Sequence, residues 1–218
     1  MYTYFPVLCY SDLKEAIVHL VCLDLEGVLV PEIWIAFSEA TGIRELRRTT
    51  RDEPDYDKLM RFRLDLLKKK GLKLPDIQSV IEKMEPLEGA LLFTEKLRER
   101  TQLIILSDTY EEFAKPLMKK LHYPTLFCNS LECTSDGSIT GYRLRQKNGK
   151  QMAVRALASI NMNIFAAGDS FNDLDMIREA ASGCLFRAPE AIRKEYAHIP
   201  CVDTFDELFN EIEKFLCT

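Results

Sequence analysis

Four short apolar runs, HLVCL, QLIIL, NIFAA and GCLF, are each cut off by a glycine or a polar residue before they reach helix length. Runs of this size fit strands buried on both faces, the usual state of a parallel sheet covered by helices. Three of them are followed at once by residues that can do chemistry: DLEG from Asp24, SDT from Ser107 and GDSFND from Gly168. In an open α/β sheet ligands bind beyond the carboxyl ends of the strands, so these three distant segments are expected to converge on one site.

Helical patterns separate the strands: LEGALLFTEKLRER, YEEFAKPLMKKLHY, KQMAVRALASI, DLDMIREAA and TFDELFNEIEKFL. The alternation predicts an α/β fold, a doubly wound, mostly parallel sheet with a Rossmann-like core. Residues 32–86 break the rhythm, because a crossover needs only a dozen or so residues. They read as helices, PEIWIAFSEATG, YDKLMRFRLDLLKKKGL and LPDIQSVIEKM, punctuated by Pro54, Gly71 and Pro75. A small helical cap over 32–86, inserted into a core of 1–31 and 87–218, is therefore expected. LECTSDGSITGYRLR carries a hairpin signal at Asp136-Gly137. Residues 1–17 are ambiguous and receive no role.

Charge and cysteine usage narrow the function classes. The chain has 29 Lys+Arg against 34 Asp+Glu, a net charge of −5, so no basic field exists to gather a polyanion. Nucleic-acid binding is not expected. Seven cysteines make an odd set without a Cys-x-x-Cys pair, which suits reduced thiols and a cytoplasmic location. No apolar run approaches the roughly 18 residues of a membrane span, and the N-terminal segment lacks the pattern of a signal peptide. The expected partner is a small-molecule substrate; the oligomeric state is left open.

Asp24 and Glu26 stand two apart beyond a buried strand, ahead of Gly27. On extended backbone such side chains share a face, and two carboxylates there can divide the work of nucleophile and general acid/base, although a solvated strand end has the same appearance. GDSFND sets Asp169 and Asp173 at a strand-to-helix corner. Acids gathered there without His or Cys suit a hard cation such as Mg²⁺, whereas Asn172 or Asp173 also serves as a plain N-cap. Ser107 is read as opening the helix after QLIIL, where a hydroxyl and a backbone N–H meet anions or simply cap. Lys150 begins a helix, an unfavourable place for a cation unless an anion lies close by; Lys147 is the competing residue.

DLEGV, LSDT, a lysine and GDSFND, in this order and each beside a core strand, resemble the four motifs of the haloacid dehalogenase superfamily of phosphatases. The resemblance runs from about Val18 to the end and accounts for a cap after the first motif. CLDLEGVLVPEIW, Arg63, GYRLRQK and AAGDSFND are more narrowly similar to the phosphoserine phosphatases, above all the bifunctional type that also passes phosphate from phosphoserine to homoserine. Glu26 stands where the superfamily usually has Asp, and that type shares the departure. The resemblance implies Asp24 as nucleophile and Glu26 as acid/base. It implies Mg²⁺ on Asp24, the Glu26 carbonyl and Asp169, with Asp173 orienting the site. Ser107, the Asp108 backbone, Lys150 and Asn172 would bind the phosphoryl oxygens. Glu32 would meet the substrate ammonium and Arg63 its carboxylate, with Arg61 the alternative. Trp34 and Phe37 are read as cap core. Two other readings are a phosphatase for a different small phosphate ester and a phospho-accepting receiver module.

Overall fold

The computed structural model describes residues 17–50, 52–53 and 55–218. The ambiguous segment at the start lies outside the described residues save for Ile17, as does Pro54. Among the described residues seven strands form one sheet: β1 (Val18–Leu23), β2 (Gln102–Tyr110), β3 (Thr125–Cys133), β4 (Ile139–Arg143), β5 (Met162–Gly168), β6 (Ser182–Phe186) and β7 (Cys201–Val202). Their order is β4-β3-β2-β1-β5-β6-β7, and every neighbouring pair is parallel except the β3–β4 hairpin.

The period of two along β1 explains why HLVCL has no polar face. Leu20 and Cys22 join one buried cluster with Ile164, Ala166 and Leu185, while Val21 and Leu23 join another with Ile105, Phe165 and Phe186. Helices cover both sides. The first cluster lies under α6 (Gly149–Ala158), α7 (Leu174–Glu179) and α8 (Glu190–Glu195). The second lies under α4 (Ala90–Arg98), α5 (Glu111–Lys120) and α9 (Phe205–Leu216). The fold is thus the doubly wound α/β sheet expected.

Between β1 and α4 the chain forms α1 (Ile33–Thr41), a 3₁₀ turn (Arg44–Arg47), α2 (Tyr56–Lys70) and α3 (Leu74–Ile81). Asp55 caps α2 by accepting from the Lys58 N–H at 3.1 Å, and KKK at its end runs out to a left-handed Gly71. Phe37, Leu46, Met60, Leu67 and Ile77 are buried, and their cluster is continuous with the second sheet face.

Two expectations change. Ser107 does not open a helix: β2 continues to Tyr110 and α5 starts at Glu111. Thr109 is β-branched and Tyr110 aromatic, both at home on extended backbone, and Tyr110 re-pairs with Asn129. The hairpin's first arm starts at Thr125, because β3 pairs parallel with β2 before it pairs antiparallel with β4. The short α8 and β7 went unread, each too brief to show a period.

Candidate active site

The ends of β1, β2 and β5 meet the N-terminus of α6 around a cavity of about 110 Å³. Asp24, one residue past β1, is 5% exposed. Its Oδ1 accepts from the Leu25 N–H at 2.7 Å and from Lys150 Nζ at 2.8 Å, which fixes the carboxylate plane. Burial, and then the nearby charge of Asp173, hold the Asp24 pKa well above the ordinary carboxylate range, against the pull of Lys150.

Lys150 also reaches Asp173 Oδ1 at 2.6 Å and lies 3.9 Å from Asp108. Burial alone would lower its pKa; Asp173 and then Asp24 override this and hold it well above the ordinary lysine value. The anion that its place at a helix start calls for is therefore partly the protein's own. Lys147, the competing residue, is exposed and does not line this cavity.

Asp173 is fully buried behind the cavity wall. Its Oδ2 accepts from the N–H groups of Asp169 and Ser170 at 3.1 and 3.0 Å and from Ser170 Oγ at 2.8 Å. With Oδ1 on Lys150, both oxygens are engaged, so Asp173 holds the corner and the lysine together. The 3₁₀ turn Phe171–Asp173 is capped by Ser170, not by Asn172, and Asp173 stands at the N-cap position of α7 without a side-chain cap bond to that helix. Asn172 instead donates to Asp108 Oδ2 at 2.8 Å, linking the β5 and β2 segments, and its Oδ1 meets Ser170 Oγ.

Carboxylate oxygens of Asp24, Asp169 and Asp173 lie within 4.8 Å of one another, all three residues buried. Of these three carboxylates the Lys150 ammonium pairs with Asp24 and Asp173, and every donor is a hard oxygen, so the cluster fits a divalent cation. Gly27 makes room for it. Its φ is +81°, and a Cβ there would fall 2.5 Å from Asp169 Oδ2. Gly27→Ala is expected to cost about 1–2 kcal/mol in backbone strain and, by displacing Asp169, to cut turnover on the order of 100-fold. Thermal unfolding and steady-state rates check this, and a near-normal rate would mean that Asp169 has room to move.

Glu26 continues the turn, and its Oε2 accepts from the Ile33 N–H at the start of α1 at 2.8 Å. Burial, with Glu32 adding repulsion, pushes its pKa up to about 7, against hydrogen bonds from Ile33 and Thr109. A carboxyl so poised can give and take a proton near neutrality.

The helical insert supplies the opposite wall. Arg63 is 6% exposed, stacks 4.5 Å over the Trp34 ring and donates to the Arg48 carbonyl at 2.7 Å. Its Nε is buried without a partner among the described residues. Burial lowers the Arg63 pKa, with Glu26 and Glu32 among the groups that oppose the shift. Glu32 lines the same cavity, whereas Arg61 turns outward to Asp57 at 2.6 Å.

No protein-family model matches the chain. A phosphoserine phosphatase of Pseudomonas syringae pv. tomato is 54% identical over 207 residues, covering 95% of this chain and 87% of the relative. Phosphoserine phosphatase ThrH of Pseudomonas aeruginosa is 54% identical over 193 residues, 88% of this chain and 94% of that protein. The chain belongs to the phosphoserine phosphatases. A solved phospho-aspartyl intermediate analogue of a phosphoserine phosphatase has the same fold, with a TM-score of 0.74 at 20% identity over 89% of this chain and 99% of the other.

In this phosphoserine phosphatase the cavity wall holds Asp24, Glu26, Glu32, Arg63, Ser107, Asp108, Lys150, Asp169 and Asn172, with Asp173 behind them. Sequence reasoning missed Thr109 and Tyr56 in that wall and assigned Trp34 only to packing. Thr109 was within reach: on an extended strand it shares a face with Ser107, two residues earlier. Nothing local marks Tyr56, which arrives through the tertiary placement of α2.

Proposed function

We propose that the chain hydrolyses O-phospho-L-serine through an aspartyl phosphate on Asp24 and passes the same phosphoryl group to homoserine when that acceptor is bound. The observation that carries this reading is one small cavity lined by a buried Asp24, the Glu26 carboxyl two residues on, and both Glu32 and Arg63. An Asp24 oxygen attacks phosphorus as the bond to the seryl oxygen breaks, and Glu26 gives that oxygen its proton. Serine leaves. Glu26, now a carboxylate, takes the proton of water or of the homoserine hydroxyl, whose oxygen attacks phosphorus and frees Asp24.

Ser107, the Asp108 N–H, Lys150 and Asn172 hold the phosphoryl oxygens, where negative charge spreads in the transition state. Mg²⁺ is the cation we assign: Asp24, the Glu26 carbonyl and Asp169 would hold it, Asp173 would orient the site, and when bound it would neutralise charge on the phosphoryl group. The insert 32–86 acts as a cap on the core of 1–31 and 87–218, with Glu32 meeting the ammonium and Arg63 the carboxylate of the amino acid. Homoserine exceeds serine by one methylene, worth only about 1–3 kcal/mol in a fitted pocket, so a serine site admits it. A bound acceptor then competes with water through an effective molarity of roughly 10⁵–10⁸ M. A small-molecule enzyme of the cytoplasm, with no nucleic-acid or membrane partner, completes the reading.

Phosphate release from phosphoserine with Mg²⁺, with and without homoserine, tests it. Release that falls while homoserine phosphate accumulates supports both activities; release indifferent to homoserine leaves a plain phosphatase; no release refutes the substrate. Arg63→Ala is expected to lower kcat/KM for phosphoserine about 100-fold, from the loss of a buried charged contact. An aryl phosphate without amino or carboxylate groups is to change less than about threefold, since it makes no such contact. Equal losses would contradict the role of Arg63.

A further inference from the structure

The pairing of β2 with β3 breaks between Leu106 and Tyr110, at the peptides that carry Ser107, Asp108 and Thr109. A buried strand that loses its ladder leaves N–H and C=O groups that other partners must satisfy. The Asp108 carbonyl is met by two side chains from other elements. Asn129 Nδ2, on β3, donates to it at 3.0 Å, and the Tyr56 hydroxyl, on α2, donates at 3.3 Å. The N–H of that same peptide, on Thr109, donates to Ser107 Oγ at 3.2 Å. Whatever fixes this peptide plane therefore also fixes the Ser107 hydroxyl.

Asn129 does more than hold one carbonyl. It is 7% exposed, and its Oδ1 accepts from the Arg145 N–H at 3.0 Å, at the start of the segment that leads to Lys150. A side-chain amide is suited to this place because it donates at one end and accepts at the other, which neither a carboxylate nor an aliphatic chain can do.

We infer that Asn129 is a positioning residue for phosphoryl transfer, tying the Ser107–Thr109 peptides to the segment that delivers Lys150, with Tyr56 clamping the same carbonyl from the helical insert. This rests on the phosphoryl chemistry proposed above. Because Asn129 lies outside the cavity wall that Tyr56, Glu32 and Arg63 share, its loss affects the chemical step of any ester and not the grip on the amino acid.

Kinetics of Asn129→Leu, Tyr56→Phe and the double variant, with phosphoserine and with an aryl phosphate, test the inference. Asn129→Leu is expected to lose roughly 10- to 100-fold in kcat on both esters, the scale of a small misplacement, with KM within about threefold. Tyr56→Phe keeps the ring and is expected to lose about three- to tenfold in the same constant. The double variant is to lose less than the product of the two, because both donors serve one carbonyl. An unchanged kcat, a loss confined to the KM of phosphoserine, or independent multiplication would overturn the inference. Should Asn129→Leu fail to fold, Asn129→Asp keeps the acceptor for Arg145 and removes the donor, and an unchanged kcat there overturns it equally. A wild-type protein that turns over the aryl ester but not phosphoserine refutes the substrate reading, while the positioning role is then decided on the aryl ester.

Discussion

Asp24→Asn is expected to lower turnover of phosphoserine on the order of 10⁴- to 10⁶-fold, the scale of removing a nucleophile, and to abolish any covalent phosphoenzyme. An amide of the same shape keeps the contact with the Leu25 N–H through its oxygen but has no charge to give to phosphorus. That same oxygen, now neutral, faces Lys150, which lies 2.8 Å from the native carboxylate. Folding should survive, because the native Asp24 carboxyl already sits well above its ordinary pKa and its burial favours a neutral group. Rates from phosphoserine, read beside acid-quenched protein, check this; a variant within tenfold of wild type would remove Asp24 from the nucleophile's role.

Lys150→Met is expected to lose on the order of 10³-fold in turnover, as preorganised charge is withdrawn from the phosphoryl oxygens, and to destabilise the metal-free protein. The ammonium joins Asp24 and Asp173 at 2.8 and 2.6 Å while 5% exposed. Removing it leaves buried acids uncompensated, a cost of about 3–5 kcal/mol in such settings. The sign of the pH dependence follows from linkage. The Asp24 pKa is already raised in the folded state, and without Lys150 it rises further, so around neutrality the folded protein binds more protons than the unfolded one and stability falls as pH rises. The Tm deficit of the variant should therefore widen from about pH 5 to about pH 8 and narrow when Mg²⁺ is added. A deficit that is flat with pH would mean that solvent, not Lys150, satisfies these acids.

The parts of the site that lie at strand ends were legible because local pattern and tertiary position coincide there. HLVCL, QLIIL and NIFAA announce buried strands, and in a parallel sheet the residue after each strand end is placed by the topology itself. Asp24, Glu26 and Asp169 are brought to one cavity on that account, whereas Lys150 enters it from the start of α6, beyond the antiparallel β4. Ser107 was found for a wrong local reason, since it lies on a strand that breaks pairing and not at a helix start. Tyr56 and Asn129 were not legible: one comes from the far wall through the packing of α2, the other acts through a register break that no period in the sequence reveals.

The most direct measurement is to mix the protein with phosphoserine and Mg²⁺, quench in acid within the first turnover, and map the phosphorylated peptide by mass, with and without a homoserine chase. A phosphoryl group on Asp24 that decays to phosphate in water and to homoserine phosphate in the chase is the expected result. Turnover with no phosphoenzyme, or with the phosphoryl group on another residue, would contradict the account.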